Sequence, residues 1–167
     1  MDLQGKLTLV LGLGESGLAM ARWLARQGAC IRVADSRRAP PQADALRSAI
    51  PEAVLFAGPF APEAFVGVEL VAISPGVPLQ APLVQQALAQ GIPVVSEIEL
   101  FVWGLQQNAR PAQVIAITGS NGKTTTTALT GALCRAAGRR TGVAGNISPA
   151  ALDALMLSLI HIFRWKR

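Results

Sequence analysis

The stretch Leu7-Thr8-Leu9-Val10-Leu11-Gly12-Leu13-Gly14-Glu15-Ser16-Gly17 decides the fold. Its first five residues form a short apolar run that favours a buried β-strand. The remainder is a complete G-x-G-x-x-G pattern, whose glycines permit a tight turn, a close approach of phosphate and close packing of the next helix. The stretch therefore predicts a strand, a phosphate-binding turn and a helix, and a tight turn without a ligand is the simpler alternative.

Strands and helices alternate outward from this stretch. Short apolar runs predict further strands at residues 31–34, 54–56, 70–73 and 94–95, and helical spacing predicts helices at 15–27, 42–48, 80–90 and 97–107. Strands that alternate with helices pair in parallel through right-handed crossovers. We therefore predict an α/β fold whose first part, residues 1–108, is a Rossmann-like parallel sheet.

Two segments at predicted strand ends add candidate ligand-binding residues. Asp35 ends the second strand, and an acid at this place can bind a ribose hydroxyl. Arg37 and Arg38 beside it favour the extra phosphate of NADP or the diphosphate of another nucleotide. Ser74-Pro75-Gly76 follows the fourth strand, at the edge where ligands of open α/β sheets bind. These features alone leave an NAD(P)-dependent oxidoreductase open as the function.

A second phosphate-binding pattern lies between a predicted strand at residues 114–117 and a predicted helix at 126–137. Lys123 can reach the β- and γ-phosphates of a bound nucleotide, and the Thr124 hydroxyl can hold Mg²⁺. Ile117 stands where the strict P-loop pattern has glycine, so a glycine-rich turn with a solvated lysine is the alternative. We predict ATP and Mg²⁺ as cofactors, with Lys123 and Thr124 as catalytic residues and Thr124 as the metal ligand. The predicted ATP-binding residues are Gly119, Ser120, Asn121, Gly122, Lys123, Thr124 and Thr125.

Charge and composition exclude several classes of partner. The 167 residues carry a formal net charge of +5, but Arg164, Lys166 and Arg167 supply three of these charges. The other basic residues are scattered, so we expect no nucleic-acid partner. No apolar run reaches about 18 residues, so we expect no membrane span. Two widely separated cysteines, Cys30 and Cys134, fit a reducing compartment. We expect a cytoplasmic monomer.

The motifs together resemble the N-terminal part of a Mur ligase, one of the enzymes that add amino acids to the peptidoglycan precursor. The resemblance spans about residues 4–156. Within the family, the chain is most similar to the branch that adds D-glutamate to UDP-N-acetylmuramoyl-L-alanine. The sister enzyme that adds L-alanine usually has histidine where Asn121 stands, and it remains an alternative. The motifs that carry the resemblance are residues 12–17, 35–37, 74–76, 97–101, 118–124 and 145–147.

The resemblance implies a UDP-sugar, and not NAD, at the first glycine-rich turn. It also implies that ATP phosphorylates the substrate carboxylate and that the amine of D-glutamate attacks the acyl phosphate. The family's further magnesium ligands, its carbamylated lysine and its third domain are not found in this sequence, so we expect no ligase activity from the chain alone. The implied substrate-binding residues are Gly14, Glu15, Ser16, Asp35, Ser36, Arg37, Ser74, Pro75, Gly76 and Asn146.

We divide the chain into three parts. Residues 1–108 are the expected UDP-sugar-binding domain, and residues 109–156 are the truncated start of a P-loop α/β domain, with another strand at 141–143. A polar linker at residues 106–111, which contains Pro111, lies at the boundary between the first two parts. Residues 157–167 are interpreted as a non-native tail, because Leu157–Ile162 matches the translation of a transposon end used in sequencing libraries. The alternative for that segment is a natural apolar strand followed by a basic tail.

Overall fold

The sheet is the frame of the molecule. The computed structural model describes residues 2–107, 112–145 and 148–163. Five strands run in parallel in the order β3-β2-β1-β4-β5, which confirms the predicted α/β sheet. Two inner strands, at residues 7–11 and 70–73, are near-continuous apolar runs, as is typical of a parallel sheet that is covered on both faces. Their bounds are Leu7–Leu11 (β1), Cys30–Asp35 (β2), Val54–Ala57 (β3), Leu70–Ile73 (β4) and Val94–Ser96 (β5).

Six helices accompany the sheet among the described residues. The first four lie within a few residues of the predicted bounds, and glycines with positive φ, Gly28 and Gly91, follow α1 and α3. A short 3₁₀ helix at Pro62–Phe65, which was not predicted from the sequence, precedes β4. The helices are Glu15–Arg26 (α1), Ala43–Ala49 (α2), Pro82–Ala89 (α3), Glu97–Gln106 (α4), Lys123–Ala136 (α5) and Ala151–Phe163 (α6).

Two apolar clusters hold the sheet, one on each face. The larger contains Trp23 of α1, Leu100 of α4 and Leu152 of α6. The smaller contains Leu9 of β1, Val71 of β4 and Val84 of α3. Burial of apolar surface on both faces fixes the register of the strands, because their side chains alternate between the two clusters.

Two predicted strands are wrong. Residues 114–117 and 141–143 have no regular secondary structure. Val114 and Ile115 are 58% and 64% exposed, although both favour strands. A strand requires a hydrogen-bonded neighbour, and no described residue pairs with either segment. Of the predicted linker at 106–111, Gln106 ends α4 and Gln107 forms a turn, and the remainder lies outside the described residues.

Helix α6 was not predicted from the sequence. The expectation for residues 157–167 was a tail, with an apolar strand as the alternative, whereas the backbone is helical from Ala151 to Phe163. The first part of α6 is buried, because Leu152, Leu155 and Met156 join the cluster that contains α1 and α4. Helical backbone at 157–163 contradicts the strand alternative. The non-native origin of residues 157–167 stays a prediction, and so do the domain bounds.

Candidate functional site

A cleft of about 430 Å³ opens at the carboxyl edge of the sheet. It lies beside the ends of β1 and β4, where the strand order changes direction because β2 lies on one side of β1 and β4 on the other. Ligands of open α/β sheets bind at such a switch point. The cleft is lined by nine of the ten predicted substrate-binding residues: Gly14, Glu15, Ser16, Asp35, Ser36, Arg37, Ser74, Pro75 and Gly76.

The glycine-rich turn between β1 and α1 forms the floor of the cleft. Gly12 has a φ of +86°, which favours glycine, and its N–H donates to the Ala34 carbonyl oxygen at 2.8 Å. A Cβ at Gly17 would lie 1.9 Å from the Gly12 carbonyl oxygen, so only glycine lets α1 start this close to β1. The first N–H groups of α1 lack partners within the helix, and they carry the positive end of its dipole. This end of the helix is suited to an anionic group.

Asp35 is fully engaged by protein donors. One carboxylate oxygen, Oδ1, accepts from the Arg37 backbone N–H at 2.9 Å and from Arg37 Nε at 2.8 Å. The other, Oδ2, accepts from the Leu13 N–H at 2.6 Å and from Arg37 Nη2 at 2.5 Å. Asp35 therefore ties the glycine-rich turn to the segment after β2, and its oxygens are already used in the arrangement seen here.

The electrostatics of Asp35 follow from these contacts. The Arg37 guanidinium holds the pKa of Asp35 at about 2, below its ordinary 3.8. Burial acts in the opposite direction, and the two N–H donors, on Leu13 and Arg37, lower the pKa further. The Arg37 side chain is 52% exposed, so the other face of its guanidinium can meet a ligand in the cleft. The exposed guanidinium of Arg37 thus offers positive charge to the cleft, and the buried carboxylate of Asp35 holds it in place.

Ser74 also has a partner inside the protein. Its hydroxyl donates to the Gly12 carbonyl oxygen at 3.0 Å, and its side chain is buried. The predicted donor from Ser74 to a phosphate is therefore not free in this arrangement. Pro75 and Gly76 are exposed at the cleft, so the sugar or phosphate side of a ligand can contact them instead.

Several cleft residues were not predicted as ligand-binding residues. Gly12, Gly17, Phe60, Val77, Gly145 and Ala150 also line it. Phe60 and Val77 lie outside any motif, so only the fold brings them to the site. Gly145 belongs to one of the motifs that carry the family resemblance, and the neighbouring predicted residue, Asn146, lies outside the described residues.

The second phosphate-binding pattern forms a loop that is separate from the cleft. Lys123 starts α5, and its Nζ donates to the Gly119 carbonyl oxygen at 2.6 Å and to that of Ser120 at 3.2 Å. Gly119 and Gly122 have φ values of +151° and +72°, so glycine shapes the loop at both positions. Residues 118–125 are exposed, and none of them lines the cleft. Exposed loop, lysine and helix N-terminus together have the chemistry that a triphosphate requires.

The described residues contain neither a membrane-spanning helix nor a cluster of metal ligands. No helix among them combines the length and apolar character needed to cross a membrane. Within the same part of the chain, no group of three or more His, Cys, Asp or Glu side chains could hold a metal ion.

Two family models match the chain. The model of the Mur ligase MurD-like N-terminal domain matches residues 6–96, which include every residue that lines the cleft except Gly145 and Ala150. The model of the Mur ligase middle domain matches residues 117–158, which include the phosphate loop and the buried part of α6. The first matched range contains the glycine-rich turn at residues 12–17, and the second contains the phosphate loop at residues 118–125.

Curated relatives have high identity to the chain but are longer. A UDP-N-acetylmuramoylalanine--D-glutamate ligase of Nitrosospira multiformis is 56% identical over 157 residues, which cover 93% of this chain and 33% of the relative. One of Dechloromonas aromatica is 58% identical over 156 residues, which cover 93% and 34%. The chain thus spans about a third of the length of the curated relatives it matches.

Solved structures show the same fold. A pseudomurein peptide ligase type C of Methanothermus fervidus has a TM-score of 0.57 and 22% identity, over 90% of this chain and 31% of that one. A UDP-N-acetylmuramate-alanine ligase of Thermotoga maritima has a TM-score of 0.54 and 22% identity, over 77% and 29%. At this identity the likeness supports the arrangement of sheet and helices and nothing finer.

Proposed function

Because the chain belongs to the Mur ligase family, we propose that it is part of an ATP-dependent ligase that joins D-glutamate to UDP-N-acetylmuramoyl-L-alanine. The observation that carries the proposal is the cleft itself. Nine residues predicted from sequence to bind a UDP-sugar lie together around one opening at the switch point of the sheet. The names of the curated relatives support the choice of D-glutamate as the amino acid.

The cleft has the chemistry that a nucleoside diphosphate requires. The N-terminus of α1 and the exposed guanidinium of Arg37 offer positive charge to the diphosphate. Ser36 is exposed beside Arg37 and offers a hydroxyl. Glu15, in the first turn of α1, is exposed and negative, so it would lie toward the uridine or the solvent and not toward the phosphates.

The phosphate loop fits ATP and Mg²⁺. Bound ATP would supply the phosphoryl group that activates the substrate carboxylate. Lys123 would bind the β- and γ-phosphates once it leaves the carbonyl oxygens of Gly119 and Ser120. Its positive charge would reduce the repulsion between the substrate carboxylate and the triphosphate. Thr124, exposed in the first turn of α5, would hold Mg²⁺. Gly119, Ser120, Asn121, Gly122 and Thr125 would surround the phosphates.

Titration of the chain with nucleotides tests the proposal. We expect UDP-N-acetylmuramoyl-L-alanine and UDP to bind with measurable heat in isothermal titration calorimetry, and NADH to give none. Binding of NADH with quenching of its nicotinamide fluorescence, and no heat from UDP, would support an oxidoreductase instead.

A turnover assay of the longer ligase that contains this chain distinguishes the two amino acids. We expect D-glutamate to stimulate phosphate release from ATP in the presence of UDP-N-acetylmuramoyl-L-alanine. Faster phosphate release with L-alanine and UDP-N-acetylmuramate than with D-glutamate and UDP-N-acetylmuramoyl-L-alanine would support the sister enzyme, which adds L-alanine.

We propose three further properties of the protein. It acts in the cytosol, where its nucleotide substrates are found, and it acts there as a monomer. The chain alone does not catalyse ligation. Sedimentation of a dimer would contradict the monomer. Phosphate release above background from the chain with ATP, D-glutamate and the UDP-linked precursor would contradict the lack of activity.

A further inference from the structure

Glu97 is a buried carboxylate that no ligand-binding motif explains. It is the first residue of α4, directly after β5, and it is 5% exposed. In the described part of the chain, no lysine or arginine lies within 4.0 Å of its carboxylate. A buried charge requires compensation by polar partners, because water no longer solvates it. Among the described residues, the hydrogen-bond partner of Glu97 is a backbone group.

The backbone of α6 supplies this partner. The Leu152 N–H, in the first turn of α6, donates to Glu97 Oε1 at 3.3 Å. The first N–H groups of a helix lack partners within the helix, and a negative charge there is favoured by the helix dipole. Glu97 thus caps α6 from another helix, although 55 residues separate the two positions.

Glu97 also affects Asp153, which lies in the same turn of α6. Burial raises the pKa of Asp153 above its ordinary value, and the nearby Glu97 carboxylate raises it further. Arg22 and Arg26 of α1 oppose both effects. The start of α6 is therefore set among charges of α1 and α4, whereas its other side is held by apolar packing through Leu152 and Leu155.

The start of α6 is joined to a wall of the cleft. Ala150, immediately before α6, is buried and lines the cleft together with Gly145. The Gly145 N–H donates to the Pro149 carbonyl oxygen at 3.1 Å, which ties Gly145 to the residue that precedes Ala150. A movement of the first turn of α6 would move Pro149 and its bond to Gly145, because only Ala150 separates Pro149 from α6.

We propose that Glu97 is a positioning residue for the nucleotide cleft, which acts by holding the first turn of α6 and thereby the wall formed by Gly145 and Ala150. This inference rests on the proposed function, in that the nucleotide is a UDP-sugar. Glu97 touches no ligand in this arrangement, since it does not line the cleft. Its effect passes through Leu152 and Ala150.

Substitutions in the full 167-residue chain test the inference, with UDP as the probe in calorimetry. Glu97→Leu removes the acceptor, and we expect it to raise the Kd of UDP by up to about fivefold, the factor by which the loss of one helix cap lowers the ordered fraction of the first turn of α6. Glu97→Gln keeps an oxygen that can accept from Leu152, and we expect its Kd to stay within about twofold of the unsubstituted value. Glu97→Asp withdraws the oxygen by one methylene, and we expect it to weaken UDP binding. This variant replaces Glu97→Leu in the test if Glu97→Leu does not fold.

Glu99→Ala is the matched control. Glu99 accepts from the Ser96 N–H at 2.7 Å in the capping box of α4, so its loss weakens the same helix without touching α6. We expect the control to lower Tm and to leave the Kd of UDP unchanged. Hydrogen exchange of the α6 amides should accelerate in Glu97→Leu and not in Glu99→Ala.

Unchanged UDP affinity in both Glu97→Leu and Glu97→Asp would overturn the inference, as would equal weakening by Glu97→Gln and Glu97→Leu. Unchanged exchange of the α6 amides would overturn it as well. Failure of the unsubstituted chain to bind UDP would overturn the proposed function, and with it the role of Glu97 at the ligand. The two failures are distinguishable because the first occurs in a chain that binds UDP.

Discussion

The Ser74 hydroxyl donates its hydrogen to the Gly12 carbonyl oxygen, and this bond joins the end of β4 to the end of β1. The two residues are 62 positions apart, and both line the cleft. Ser74 was predicted as a direct ligand for a phosphate or sugar. Its observed contact supports the glycine-rich turn, while its neighbours Pro75 and Gly76 are exposed at the opening. A direct contact of Ser74 with a ligand stays a prediction.

Ser74→Ala is expected to lower the free energy of unfolding by about 1 kcal/mol, because the buried Gly12 carbonyl oxygen loses its side-chain donor. Urea unfolding measures the change. Ser36→Ala is the control, since Ser36 is exposed at the same cleft. It should change stability by less than about 0.5 kcal/mol and weaken UDP binding. Equal stability of Ser74→Ala and the unsubstituted chain would show that the bond does not support the turn.

Gly17→Ala and Gly14→Ala form a second pair. A Cβ at Gly17 would meet the Gly12 carbonyl oxygen at 1.9 Å, whereas a Cβ at Gly14 would meet nothing within 4 Å. We expect Gly17→Ala to destabilise the chain by about 3 kcal/mol or more, because α1 has to move away from β1. Gly14→Ala should keep the Tm and weaken UDP binding, since its methyl group would point into the approach of the diphosphate. Thermal unfolding and calorimetry check both variants, and a stable Gly17→Ala would contradict the close packing.

Acid should remove the stabilisation that Asp35 provides. Its folded pKa of about 2 lies below its ordinary 3.8, so the folded state favours the carboxylate. The contribution is therefore complete above pH 3.8 and is lost as the pH falls through 3.8 toward 2. Unfolding free energies of the unsubstituted chain and of Asp35→Asn should differ most near neutral pH and converge below pH 3.8.

The exposed Asp44 provides a control for that titration. Its carboxylate pairs with Arg47 on the surface, and its side chain is 97% exposed. Surface pairs of this kind contribute little to stability, so Asp44→Asn should track the unsubstituted chain at every pH. A difference between Asp35→Asn and the unsubstituted chain that stays constant from neutral pH to about pH 3 would mean that Asp35 does not titrate with a lowered pKa.

Lys123→Ala should separate the two nucleotide sites. The Nζ bonds to Gly119 and Ser120 are exposed, so their loss should change the free energy of unfolding by less than about 0.5 kcal/mol. UDP binding should be unchanged, because Lys123 does not line the cleft. In the proposed full-length ligase, ATP turnover should be abolished. Persistent turnover would exclude the proposed role of Lys123 at the phosphates.

Most of the sheet was predictable because its signals are local. Apolar runs closed by turn residues placed β1 and β4 at their observed bounds, and the alternation with helices predicted parallel pairing. Residues 114–117 carry the same type of apolar run, yet they form no strand. Strand formation depends on a neighbour as well as on composition, and sequence patterns do not show whether the neighbour is in place.

The membership of the cleft was also predictable, but the roles within it were not. Positions at strand ends follow from the fold, so Asp35 and Ser74 were placed correctly at the cleft. The partners of their polar atoms depend on which backbone groups the fold brings near. Leu13 and Gly12 supply these partners, and no spacing rule predicts that. The burial of α6 was missed for the same reason, since its apolar residues fit several interpretations until α1 and α4 are in place.

Helix α6 has a consequence for the order in which the protein is made. A ribosome that has released the five strands has already produced the whole sheet, but the apolar sides of Trp23 and Leu100 still lack the cover that Leu152, Leu155 and Met156 provide. Nascent chains with uncovered apolar surface are prone to aggregate. Shielding by a chaperone would thus matter most in the interval between synthesis of α4 and synthesis of α6.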